Sequence, residues 1–132
     1  MANANAPFGF RPISMLDGSP YNGATIKCVI LGADTTNTFV GDAVKLNGTG
    51  DALGLYPSVV QAAATNAVFG VVASFDPEPS DLSLQYAKGA QTTDRLVNVI
   101  PALDVIFEVQ EDSDASNLAT TDIGEACDIV VG

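Results

Sequence analysis

The sequence predicts an all-β fold: a β-sandwich or jelly-roll-like barrel over residues 24–132, preceded by an extended N-terminal arm over residues 1–23. Three observations carry this. Short runs rich in Val, Ile, Thr and Phe recur between Gly, Asn and Asp clusters; no stretch of about ten residues keeps a helical period of apolar positions; and the first segment is broken by prolines and glycines throughout. At 132 residues a single domain is expected, and 47% hydrophobic against 16% charged residues supplies the apolar material for its core.

In the arm, Pro7, Pro12 and Pro20 each fix φ and push the preceding residue toward extended backbone, while Gly9, Gly18 and Gly23 punctuate the rest. Alternate side chains of an extended chain share a face, so Phe8, Phe10 and Pro12 are expected on one side, with Gly9 and Arg11 on the other. This is an apolar stripe beside one cation. Asp17-Gly18-Ser19-Pro20 reads as a turn, because Asp17 can bond its own backbone and Gly18 can adopt a positive φ. The candidate interface residues are therefore Pro7, Phe8, Phe10, Arg11, Pro12 and Tyr21, where Tyr21 is either an interface anchor or a core residue with a satisfied hydroxyl. Packing of the arm onto its own domain is the competing expectation.

Strands are expected at residues 24–31, 38–46, 55–62, 67–75, 82–87, 96–100, 105–110 and 127–131. The plainest alternation sets Val105, Phe107 and Val109 against Ile106, Glu108 and Gln110, one face toward the core and one mostly wet. Asn47-Gly48-Thr49-Gly50 and Ala87-Lys88-Gly89 are the strongest turn signals, and Pro57 marks its strand as an edge or an irregular one.

Five basic residues stand against 16 acidic ones, and the net charge of −11 opposes phosphate or anionic lipid, so neither nucleic acid nor a membrane is an expected partner. The balance is uneven. Residues 1–33 hold Arg11 and Lys27 against Asp17, whereas from Asp104 onward acids run without a base, so that stretch is expected to face solvent or a basic partner. No apolar run reaches the length of a membrane span, and residues 1–6 have neither the cationic nor the apolar stretch of an export signal, so synthesis in the cytoplasm without export is expected. Cys28 and Cys127 are expected as buried free thiols rather than a bridge.

Histidine is absent, which removes His-based triads, imidazole metal sites and the most common general base near neutral pH. Ser58 and Ser74 have no base beside them in sequence, and Asp104 and Glu108 share a face assigned to solvent, which suits neither nucleophilic nor glycosidic chemistry. The glycines Gly48, Gly50 and Gly54 are followed by neither a Lys nor a helix and do not form a phosphate cradle. An EF-hand loop beginning at Asp112 would need glycine and glutamate where the chain has Asn117 and Ile123, which leaves a solvated acidic loop or a weak cation site at Glu111, Asp112 and Asp114. Asp76-Pro77-Glu78-Pro79 reads as a stiff exposed loop. The expectation is a protein without catalytic, metal or cofactor residues, and not an enzyme.

Six segments bear on what such a protein does: MANANAPFGFRP at 1–12, DGSPYNG at 17–23, VGDAVK at 40–45, VFGVV at 68–72, VIFEVQED at 105–112 and DIVVG at 128–132. Together they span nearly the whole chain and resemble small head decoration, or cement, proteins of tailed bacteriophages, the opening arm being the most specific of them. The resemblance implies a non-enzymatic virion component on the outer capsid surface that ties neighbouring subunits of the phage major capsid protein together. It also implies a β-sandwich or jelly roll acting as a homo-oligomer, dimer or trimer. The alternative is a sugar- or cation-binding β-sandwich adhesion module, which would need an exposed aromatic platform in a chain with no Trp and 3 Tyr.

Overall fold

The computed structural model describes residues 8–111 and 117–130. The strands are β1 (Arg11–Met15), β2 (Ile26–Ile30), β3 (Ala43–Gly50), β4 (Pro57–Gln61), β5 (Gly70–Phe75), β6 (Arg95–Pro101) and β7 (Val105–Glu108), followed by a single 3-10 turn at Thr120–Asp122. β2, β4, β3, β5 and β6 close into a barrel in that order, and β1 pairs with β7 as a separate ribbon. The all-β barrel expected from the sequence is what forms. Its pairs are antiparallel except β2 with β4, which meet in parallel through Val29 and Ser58.

The barrel forms because its strands are rich in β-branched residues that fit a pleated surface buried on one or both faces. Cys28, Ile30, Val44, Val59, Val72, Val97 and Val99 meet inside with Ala87, flanked by the partly buried rings of Phe69 and Phe75. Cys28 faces Val97 across β2 and β6, and Ile30 faces Arg95, so the inward row of β6 ends in a cation. Val29, Val71 and Ile100 are buried as well, on the opposite phase of the same strands. Gly70 lets β5 approach β6, since a Cβ there would lie 2.3 Å from the carbonyl oxygen of Ile100.

Several sequence expectations are corrected by this architecture. Residues 82–87 do not form a strand: Asp81 accepts from both the N–H and the hydroxyl of Ser83, bending the chain, and only Ala87 pairs, through a two-bond bridge to Thr38. The strand expected at 127–131 is absent over its described residues, and Cys127 is exposed rather than buried. β2 and β6 already close the barrel, so the barrel itself offers no edge for another strand. The Asn47–Gly50 segment belongs to β3, where Gly48 takes φ 77° within an irregular stretch of the β3–β4 pairing. The turn lies further on, where Asp51 gathers the N–H groups of Leu55 at 2.6 Å and Tyr56 at 2.8 Å. In the Val105–Gln110 run, Val105 is buried and Phe107 half-buried as expected, but Val109 is exposed. Both cysteines are free thiols.

Candidate functional site: the arm cleft

The arm folds back along its own barrel. β1 pairs with β7 with Arg11 opposite Glu108, Pro12 opposite Phe107, Ser14 opposite Ile106 and Met15 opposite Val105, and Ile13 falls at an irregularity between Pro12 and Ser14. Opposite residues share a face, so Pro12, Phe107, Met15 and Val105 turn inward while Arg11, Glu108 and Ile106 turn outward. The turn at Asp17 forms as expected, with its carboxylate accepting from the Ser19 N–H at 2.8 Å and Gly18 at φ 87°. These bonds from Ser19 hold the Asp17 carboxyl below its ordinary pKa.

Arg11 forms an ion pair with Glu108, and its guanidinium lies 4.5 Å over the Phe8 ring. Phe10 meets Phe107 edge to face at 6.3 Å between centroids, and its N–H donates to the Gly41 carbonyl at 2.8 Å. Tyr21 donates its hydroxyl to the Ala24 carbonyl at 2.9 Å, and burial raises its pKa. The turn on which the arm rests is held by Asp42, whose Oδ2 accepts from the Phe39 N–H at 2.8 Å and from Gln61 Nε2 at 3.1 Å. Burial outweighs those bonds and raises the Asp42 pKa.

Phe8, Phe10, Arg11, Pro12 and Tyr21 line one open cleft of about 670 Å³, together with Gly23, Thr25, Val40, Gly41, Val72, Ala73, Ser74, Asn98 and Ile100. Five of the six candidate interface residues are thus brought together; the sixth, Pro7, lies outside the described residues. The arm packs on its own domain, and of its aromatic pair Phe8 is the more accessible, at 43% exposed. The barrel wall of the cleft was not legible in the sequence. Ala73 and Ser74 reach it through the bulge in β5 between Val72 and Ser74, which no local pattern marks, and Val40 reaches it from the 39–42 turn ahead of β3.

A second cleft of about 310 Å³ shares Val40, Ala73 and Ser74 with the first and runs on to Phe75, Asp76, Pro77, Leu82, Leu84, Gln85 and Arg95. Here the 76–79 loop is not simply solvated. Asp76 takes both its oxygens to Lys27 Nζ, at 2.7 and 2.8 Å, and Glu78 lies 3.6 Å from Arg95. Arg95 is 3% exposed, donates Nη2 to the Leu84 carbonyl at 2.9 Å, and has no hydrogen-bond partner for Nε or Nη1 among the described residues.

The acidic C-terminal stretch lies outward: Asp104, Glu111, Asp122, Glu125 and Asp128 are all exposed. Asp112 and Asp114 of the weak cation site lie outside the described residues, and Glu111 accepts from the Leu118 N–H. Among the described residues no group of three or more acidic or cysteine side chains could hold a metal ion, and no helix is long and apolar enough to cross a membrane. Comparison of the chain with protein-family models, curated proteins and solved structures finds no match.

Proposed function

We propose that the protein decorates the outside of an icosahedral phage capsid as a homo-oligomer and stabilises it, without catalysis, by bridging subunits of the major capsid protein. The observation that carries this reading is the convergence of the arm's aromatic residues on one open apolar cleft, in a chain whose arm is the most specific part of its resemblance to cement proteins. Phe8 at 43%, Val40 at 53% and Ile13 at 55% exposure put apolar surface at and near that cleft, which is area for an interface. The net charge of −11 favours an exterior position, away from packaged DNA.

Burial of Phe8 and Val40 on a partner contributes about 2 to 4 kcal/mol before ordering costs, enough to decide occupancy when several copies act together. The test is co-sedimentation of the full chain with phage shells that lack it. Saturable binding that Phe8→Ala weakens supports the proposal; no binding to any shell, with binding to glycans instead, would favour the adhesion reading.

A further inference from the structure

Arg95 is a buried cation most of whose hydrogen bonds are unmade. It opens β6 with 3% of its surface exposed, and it lines the second cleft. A guanidinium carries five N–H donors and no acceptor. Here Nη2 donates to the Leu84 carbonyl at 2.9 Å, while Nε and Nη1 have no hydrogen-bond partner among the described residues. Its Cζ lies 5.8 Å from the centroid of the Phe75 ring, which lines the same cleft.

The neighbouring acids do not complete it. Asp76 takes both its oxygens to Lys27, and Asp81 accepts from the N–H and hydroxyl of Ser83. Glu78 accepts from the N–H and hydroxyl of Ser80 with Oε1 and leaves Oε2 3.6 Å from Arg95 Nη1, an ion pair without a hydrogen bond. A charge desolvated this far and left short of acceptors is costly. The group that best relieves it is a carboxylate, whose planar oxygens take two N–H groups of a guanidinium at once. One cation beside Asp76 and Glu78 suits a monoanion rather than a phosphate dianion. Val40, Phe75, Pro77, Leu82 and Leu84 give the cleft an apolar wall for whatever carries that carboxylate.

We infer that Arg95 anchors a binding site for a carboxylate on an apolar body, which enters the second cleft and takes the place at Arg95 that Glu78 holds at 3.6 Å. Displacing Glu78 breaks an ion pair but no hydrogen bond to Arg95, and the incoming carboxylate makes the bonds that the internal one does not. The carboxylate has two sources with the same chemistry: a free organic acid, or an acidic side chain flanked by apolar residues in a protein. The site is independent of the decoration reading.

Benzoate and the blocked tripeptide acetyl-Val-Glu-Val-amide are titrated separately into isotope-labelled full-length protein, with benzamide and acetyl-Val-Gln-Val-amide as their uncharged counterparts. The Arg95 Nε–H resonance and the amides of Phe75 and Leu84 should shift, and at least one acid should bind about tenfold or more tightly than its counterpart. Tighter binding of benzoate identifies a free acid as the source, and tighter binding of the tripeptide identifies a protein; either supports the site. Glu78→Gln removes the internal competitor, so it should bind the same acid more tightly than wild type and gain more in melting temperature from it. If that variant does not fold, the wild-type titrations decide alone. Absence of shifts at millimolar acid, shifts away from Arg95, equal binding of acids and amides, or weaker binding by a folded Glu78→Gln protein would overturn the inference. No arm involves a shell, so failure here leaves the decoration reading as it stands.

Discussion

Gly9 and Gly41 meet backbone to backbone. A Cβ on Gly9 would lie 2.7 Å from the Gly41 carbonyl oxygen, and one on Gly41 would lie 2.9 Å from the Phe8 carbonyl oxygen. Both residues have positive φ, 71° and 94°, which L side chains rarely adopt. The arm therefore seats on the 39–42 turn at a point where neither chain can carry a side chain, and this contact sets where Phe8 and Phe10 are presented.

Gly9→Ala should unseat the arm while leaving the barrel folded. The clash and the φ penalty together predict a loss of about 1 to 3 kcal/mol, with faster amide exchange over residues 10–15. Gly18→Ala is the control, because a Cβ there has nothing within 4 Å and only the conformational cost applies. Equal effects of the two substitutions on exchange in β1 would contradict the contact.

The Arg11–Glu108 ion pair is largely exposed, its side chains at 62% and 42%, so solvent screens it. A double-mutant cycle between Arg11→Ala and Glu108→Ala should return a coupling below about 1 kcal/mol. A larger coupling would mean that charge, rather than Phe10 on Phe107, holds the arm in place.

Cys28 is fully buried and burial pushes its thiol up to about 11, whereas Cys127 is exposed. A thiol reagent near pH 8 should therefore label Cys127 quickly in the native protein and Cys28 only after denaturation. Resistance of both thiols to labelling without reductant would point to a bridge.

Acid should loosen the Asp51 turn. The N–H groups of Tyr56 and Leu55 hold the Asp51 carboxyl below its ordinary value of 3.8, so the stability it contributes is complete above that value and is lost as pH falls through the lower folded one. Asp42 has the opposite sign: burial raises its pKa, so its contribution grows as pH falls through the raised value. Denaturation curves followed from pH 6 to pH 2 should show a shallower acid limb in Asp51→Asn than in wild type; an unchanged limb would contradict the assignment.

Much of the fold was legible because the barrel strands carry their own signal. Val44, Val59, Val72, Val97 and Val99 sit in short β-branched runs, and the expected strands that contain them all formed. Residues 82–87 and 127–131 misled because apolar content is not pairing: one is bent by Asp81 and Ser83, and the other meets a barrel already closed. The site divided in the same way. Phe8, Phe10, Pro12 and Tyr21 could be picked out as arm residues, but the expected alternation fails at Gly9, whose φ of 71° breaks the extended run, and Arg11 lies over Phe8 instead of on the opposite face. The wall opposite them depends on the β5 bulge and the Gly9–Gly41 contact, which join residues distant in sequence. Arg95 was missed because nothing local distinguishes a cation pointing into a barrel from one on its surface.

The claim that the protein cements a shell is tested most directly by comparing otherwise identical phage capsids with and without it under heating and osmotic shock. A ligand that binds the assembled lattice and bridges its subunits shifts the equilibrium toward the lattice by mass action. Capsids lacking the protein should burst at a lower temperature and under milder shock, and adding back the purified chain should restore their tolerance. Equal bursting with and without it, at saturating occupancy, would contradict the account.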